Sequence, residues 1–419
     1  MKIAVVGLVE SENLGEQFIA DSLIHIIIDV VNEHHFEQCT FVKVDLLARN
    51  DDIVKTILPS TPRKDIFYHY KNYGYVGEAL YVVLRKKMQK MDNQATINRI
   101  NRFRHKIWEH SINLKKRYMD YYHSKFHDVD LIVIDGAGLL EYSYNEYQEQ
   151  LLLISEYAKA HGVSVVYNAI GRAGEFNPAD FRCKILMSAI RSESVKYVSA
   201  RDSAENVQQC VGTRRKVELL ADAAFYLNEA YSVTKQEKTE LIGIGLVRGT
   251  ALQSYRNPFE EQDWIELFAG IALELKKRGY EFRFFTNGFH EDYELGIKVL
   301  RRLDLDLSYL EDRPTDAHVL LNTIASYRGI ITCRMHSSIA AFSLGIPSVI
   351  LNWNEKTKKY MNQLRYPERV VDPQYFDSTI IVDRLEKAMS EGVDDENRER
   401  MKRLARKSVE GYAELLSSK

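Results

Sequence analysis

The stretch Gly329–Leu351, GIITCRMHSSIAAFSLGIPSVIL, decides how this chain folds. It opens with a short apolar run ending at Cys333, the pattern of a strand covered on both faces of a parallel sheet. A helix is predicted over 337–344, with Gly345 closing it, and Pro347 leads into a second apolar run, Ser348–Leu351. Strand, helix and strand in that order make a βαβ unit. Arg334 and His336 then fall between a strand's carboxyl end and a helix N-terminus, where orphan amides and the helix dipole favour an anion.

The same alternation extends outward in both directions. Ile3–Val9, Leu131–Ile134, Val163–Tyr167, Lys196–Ser199, Leu241–Val247 and Phe282–Phe285 read as buried strands. Segments of helical period lie between them; Phe18, Ile19, Leu23, Ile26, Ile27, Val30 and Val31 share one face of the first. The expected fold class is α/β, with two doubly wound domains. The polar stretch Asn228–Glu240 suggests domains over 1–228 and 229–390. A final helix over 391–419, with Met401, Leu404, Ala405, Val409, Tyr412 and Leu415 on one face, is expected to pack back on the body.

The chain has 419 residues, and at about 150 residues per domain that length allows two or three domains. With 45% hydrophobic and 28% charged residues, wholesale disorder and coiled-coil or collagen-like architecture are excluded. A net charge of −2 argues against a whole-molecule grip on nucleic acid. That sum hides one local excess. Arg85–Arg117 holds eleven Lys and Arg against two acids, Asp92 and Glu109, with Phe103 and Trp108 interleaved. Ile100, Phe103, Ile107 and Trp108 can share a helix face, so the segment reads as a basic amphipathic helix. It is either a solvated helix with its apolar face in the core or a surface for anionic lipid or a lipid-linked anionic substrate.

Cys39, Cys183, Cys210 and Cys333 are too scattered for a zinc site and are expected as buried free thiols in a reducing compartment. No His, Cys, Asp or Glu cluster has metal-ligand spacing, and no metal or cofactor is expected. The N-terminus, MKIAVVG, is too short for a signal peptide, and no apolar run approaches the roughly 20 residues that span a bilayer. A cytoplasmic protein is expected.

In open parallel sheets ligands bind outside the carboxyl ends of the strands, so residues just after each strand carry the chemistry. After the first come Asn13, Gly15 and Glu16, either a ligand-approaching loop or an ordinary helix entry; GxGxxG is absent. Asp135-Gly-Ala-Gly138 follows Leu131–Ile134, and Asp135 can act as a general base or simply cap a tight turn. Arg201-Asp202-Ser203-Ala-Glu205 follows Lys196–Ser199; Asp202 with Glu205 reads as a helix start of the capping-box kind, which leaves Arg201 for the crevice. Arg334 can clamp a carboxylate or phosphate, His336 can donate to phosphate or move a proton, and Lys356 follows the next strand.

Taken in order, these motifs resemble the polysaccharide pyruvyl transferases. Asn13-Leu-Gly15-Glu16 resembles that family's early Asn-x-Gly-Asp, with Glu for Asp. Asp135-Gly-Ala-Gly138 resembles its glycine-rich turn, and Asn168-Ala-Ile-Gly171 a segment in which Arg172 replaces a common proline. Arg201-Asp202 resembles its Arg-acid turn, and Asp222 the aspartate closing its first domain. Arg334-Met-His336, Gly345-Ile-Pro347 and Lys356 match its C-terminal signature. The resemblance implies two Rossmann-like domains facing across a cleft, GT-B-like, and transfer of pyruvate from phosphoenolpyruvate to two hydroxyls of a sugar, forming a cyclic ketal. It implies Arg201, Arg334 and His336 as donor ligands. His336, Arg334 and Asp135 are then the expected catalytic residues, with Asn13, Gly138, Gly171 and Lys356 at the substrate. The expected acceptor is a lipid-linked glycan at the inner face of the cell membrane, with the basic segment 85–117 toward anionic lipid. The alternatives are a GT-B nucleotide-sugar glycosyltransferase and a non-catalytic glycan-binding scaffold.

Overall fold

Short runs dominated by apolar residues become parallel strands. A computed structural model describes the chain except residues 50–93, 111, 143–146, 234–238, 249–258, 353–354 and 418–419. By contacts it divides into two units. The first comprises Met1–Glu10, Ile27–Leu220 and Ser408–Lys419; the second comprises Ser11–Ile26 and Ala221–Lys407. The division after Leu220 compares with the expected boundary at 228/229. It also assigns Asn13 and Gly15 to the second unit, although they precede most of the first in sequence.

The first unit holds β1 (Lys2–Gly7), β2 (Thr40–Asp45), β3 (Leu131–Ile134), β4 (Leu140–Glu141), β5 (Ser164–Ile170), β6 (Arg172–Ala173), β7 (Val195–Ala200) and β8 (Glu218–Leu219). Six of them form a sheet in the order β2-β1-β3-β5-β7-β8, every neighbouring pair parallel. β4 and β6 pair separately. The order reverses between β1 and β3, which is the topological switch point of a doubly wound sheet. β3 is wholly buried, as its unbroken Leu-Ile-Val-Ile requires. The terminal segment joins this unit: Gly411 packs so closely on Tyr197 that an added Cβ would stand 2.5 Å from its hydroxyl oxygen.

The second unit holds β9 (Ile242–Gly245), β10 (Phe282–Phe285), β11 (Gly329–Thr332), β12 (Ser348–Leu351) and β13 (Val370–Val371). Their order is β10-β9-β11-β12-β13, again parallel throughout, with the switch point between β9 and β11. The core lies where Trp264, Phe268 and Leu275 on the helix Glu261–Lys277 meet the strands and Ile381, Val382 and Leu385 on the helix Ser378–Glu391. The amphipathic stripe of the first helix, Gly15–Glu33, is buried at all seven predicted positions.

Three local expectations are corrected. The helix after β11 begins at Met335 and not at Ser337, so His336 sits in its first turn. Ser203 caps the helix Ala204–Val211, without a side-chain bond; Asp202 instead accepts the Arg172 backbone N–H at 3.0 Å. Cys39 is only partly buried, whereas Cys183, Cys210 and Cys333 are buried; none of the four is in a disulfide. Of the basic segment, residues 85–93 lie outside the described residues. Gln94–His110 is helical, with Arg99, Arg102 and Lys106 exposed; Phe103, expected on an apolar face, is itself 50% exposed.

Candidate active site

The second unit gathers the Arg-x-His motif with the early Asn-x-Gly-Glu. Thr332 ends β11 and its hydroxyl oxygen accepts the Arg334 backbone N–H at 3.0 Å, fixing the turn into the helix Met335–Ser343. The Arg334 guanidinium forms an ion pair with Asp292, a wholly buried carboxylate in the first turn of the helix His290–Leu303. His336 is 6% exposed, and its Nε2 lies 3.8 Å from Oδ2 of Asp222. Asp222 also accepts the Ala224 N–H at 2.9 Å, which orients the carboxylate and through it the imidazole. The resemblance gives Asp222 to the end of the first domain; its contacts group it with the second unit.

Gly15 explains why the early motif needs a glycine. A Cβ there would stand 2.5 Å from Cβ and 2.9 Å from Nδ1 of His336. The loop is held by the turn after β10. Leu14 donates its N–H to the Asn287 carbonyl at 3.0 Å, and Glu12 accepts the His290 N–H and the Arg313 guanidinium, each at 3.3 Å. Gly288 in that turn has φ of +110°, and an added Cβ would lie 2.2 Å from the Glu12 carbonyl oxygen. Asn13 donates to Glu16 at 3.2 Å, while its Oδ1 is buried without a hydrogen-bond partner. Asn287, 1% exposed, accepts the Ser337 hydroxyl at 2.6 Å and leaves its Nδ2 unpaired.

The first unit holds the remaining predicted residues. Asp135 follows β3 at the switch point, fully buried, and accepts the Ala137 N–H at 3.1 Å in a tight turn. β1 ends directly against it, since a Cβ on Gly7 would stand 1.7 Å from its Oδ2. Arg201, 8% exposed, lays its guanidinium on Gly171, where an added Cβ would meet Nε at 2.7 Å. Gly171 donates to the Ala137 carbonyl at 3.0 Å, so the Asp135–Gly138 turn and the Asn168–Gly171 segment are one construction. Asn168 in turn accepts the Ser408 hydroxyl at 2.8 Å.

Arg334, His336 and Asn13 therefore belong to one unit, and Asp135, Gly138, Gly171 and Arg201 to the other. Lys356 occupies the first turn of the helix Glu355–Gln363, after β12. Sequence reasoning missed Arg248, Asp292 and Asn287. Arg248 and Asn287 each follow a recognised strand, and the strand-end rule applied there would have found them; Asp292 carries no such signal. Among the described residues no group of three or more His, Cys, Asp and Glu is placed to hold a metal.

Comparisons with solved structures bear on the fold. The chain is similar to UDP-GlcNAc 2-epimerase from Neisseria meningitidis, at 12% identity over 99% of each chain and a TM-score of 0.53. The Methanocaldococcus jannaschii UDP-GlcNAc 2-epimerase aligns over 99% of this chain and 100% of that one, at 9% identity and a TM-score of 0.56. At such identities the likeness shows the fold alone, the GT-B class of paired Rossmann-like domains. No curated protein matches the chain by sequence. The family model described as polysaccharide pyruvyl transferase matches residues 13–355, which begin at Asn13 and take in Asp135, Arg201, Arg334 and His336. With that match over most of its length, the chain belongs to the polysaccharide pyruvyl transferase family, a family of transferases.

Proposed function

We propose that the protein transfers pyruvate from phosphoenolpyruvate to two hydroxyls of one sugar in a surface polysaccharide or its lipid-linked precursor. The observation that carries this reading is the placement of Arg334 and His336 at a helix N-terminus outside β11, beside the switch point. Phosphoenolpyruvate bears a phosphate and a carboxylate, and this corner offers a guanidinium, an imidazole and helix-end amides. Arg201 is the further cation that the family likeness assigns to the donor.

Two sugar hydroxyls and phosphoenolpyruvate yield the ketal and inorganic phosphate. One hydroxyl proton ends on the donor's methylene carbon, which becomes the methyl group, and the other leaves with phosphate. Protonating that carbon develops positive charge at the central carbon, which the first hydroxyl attacks; loss of phosphate then admits the second. His336 serves as phosphate ligand and general acid, held by Asp222. Asp135 serves as the base toward a hydroxyl.

The acceptor is proposed to be lipid-linked at the inner face of the cell membrane, with the exposed Arg99, Arg102, Lys106 and Lys116 meeting anionic lipid. Among the described residues no helix is long and apolar enough to cross a membrane. Phosphorus NMR tests the reaction directly. Inorganic phosphate should appear from phosphoenolpyruvate only when a sugar diol is present, and His336→Ala should slow this by roughly a hundredfold or more. Nucleotide release from sugar nucleotides with the same acceptors, and no phosphate release, would overturn the reading.

A further inference from the structure

The second unit carries another arginine at the same sheet edge as Arg334. Arg248 follows β9, the strand beside β11 across the switch point. Its guanidinium carbon lies over the Phe289 ring, 4.3 Å from the centroid, and that of Arg334 lies over the same ring at 4.8 Å. Both distances are within cation–π range, so one aromatic side chain gathers two like charges. Asp292 joins the two residues. Its Oδ1 accepts the Arg248 backbone N–H at 2.8 Å, and its Oδ2 takes the Arg334 guanidinium.

The Asp292 carboxylate is taken up by the Arg334 guanidinium and the Arg248 backbone, and the Arg248 guanidinium pairs with Glu291 at 3.0 Å. The Glu291 side chain is 40% exposed, and an ion pair in that setting contributes little and yields readily to a stronger anion. Arg334 Nε is buried without a hydrogen-bond partner, as is Asn287 Nδ2 two residues before Phe289. Buried donors left unpaired are costly, and an anion at this corner would supply their acceptors.

We infer that Arg248 and Arg334 form a two-arginine clasp for the phosphate of the donor, with Asp292 as the positioning residue that fixes both. This rests on reading the second unit as the phosphoenolpyruvate side. Asp292 does not touch the ligand; it sets the angle of Arg334 and the backbone of Arg248.

Calorimetry on the full chain with two probes, phosphoenolpyruvate and inorganic phosphate, tests the clasp. Arg248→Met should weaken both roughly ten- to hundredfold, and Arg248→Lys should recover part of that loss. Asp292→Asn should raise the KM for phosphoenolpyruvate more than it lowers kcat, with Asp292→Glu partly restoring KM; a purely structural role would lower kcat at unchanged KM. Wild-type binding of inorganic phosphate that depends on Arg248, without binding of phosphoenolpyruvate, would keep the clasp and overturn the donor reading. Binding of both probes by Arg248→Met at wild-type strength would overturn the clasp, and binding of neither by the wild type would overturn both.

Discussion

Gly15 and His336 are built against each other: a methyl group on Gly15 would stand 2.5 Å from the His336 Cβ. Two motifs more than 300 residues apart in sequence are thereby one piece of structure. The glycine early in the chain exists to let the histidine late in the chain take its place beside Asp222.

Gly15→Ala should therefore act through the histidine. Overpacking at a buried position costs about 1–3 kcal/mol, and here the displaced atoms belong to a proposed donor ligand. Phosphoenolpyruvate binding should fall at least tenfold while cooperative unfolding is retained, as calorimetry and chemical denaturation of the same sample would report. Unchanged binding would mean that the His336 position is not critical.

The cysteines should react unequally. Burial pushes the Cys183 thiol up to about 11 and the Cys210 thiol up to about 12, and raises Cys333 as well. Only the thiolate is nucleophilic, so these three are inert in the native state at pH 8. A colorimetric thiol titration should show one fast group, the partly exposed Cys39, and three that react only after denaturation. Two or more fast groups would contradict the burial of Cys183, Cys210 and Cys333.

Acid should unfold the second unit through its helix contacts. Glu274 is held below the usual carboxylate range, chiefly by its hydrogen bond from Arg278 and then by Lys277. Its stabilisation is present above the ordinary glutamate pKa and is lost as pH falls through the lowered one. Arg278 also reaches Asp383 and Glu386, linking the helices Glu261–Lys277 and Ser378–Glu391. Arg278→Met should move the acid-unfolding midpoint, followed by circular dichroism, to higher pH. An unmoved midpoint would show these pairs to be idle.

Much of this architecture is legible in the residues. Leu131–Ile134, Phe282–Phe285 and Ser348–Leu351 are strands to the residue; the first and last are buried at every position, and in Phe282–Phe285 three phenylalanines carry the signal around the half-buried Arg283. Thr40–Asp45 escaped: it lies at the sheet edge with Thr40 and Lys43 exposed, so its hydrophobic signal is diluted. The two-residue strands Glu218–Leu219 and Val370–Val371 are too short to carry a period. The site was legible at two cations that follow strands, Arg201 and Arg334, although the same rule passed over Arg248 after Ile242–Gly245. It was not legible where chemistry comes from long-range packing. Nothing local announces that Asp292 holds Arg334 or that Asp222 stands beside His336. Asp202 misled for a related reason, since a capping pattern cannot reveal that the carboxylate is taken by Arg172 thirty residues earlier.

The central claim is that Arg334 and His336 hold phosphoenolpyruvate. A crystal structure of the protein soaked with phosphoenolpyruvate tests it most directly. The account predicts phosphate density within hydrogen-bonding distance of the Arg334 guanidinium and the His336 imidazole, outside the carboxyl end of β11. An ordered phosphoenolpyruvate bound elsewhere, with those two side chains untouched, would contradict it.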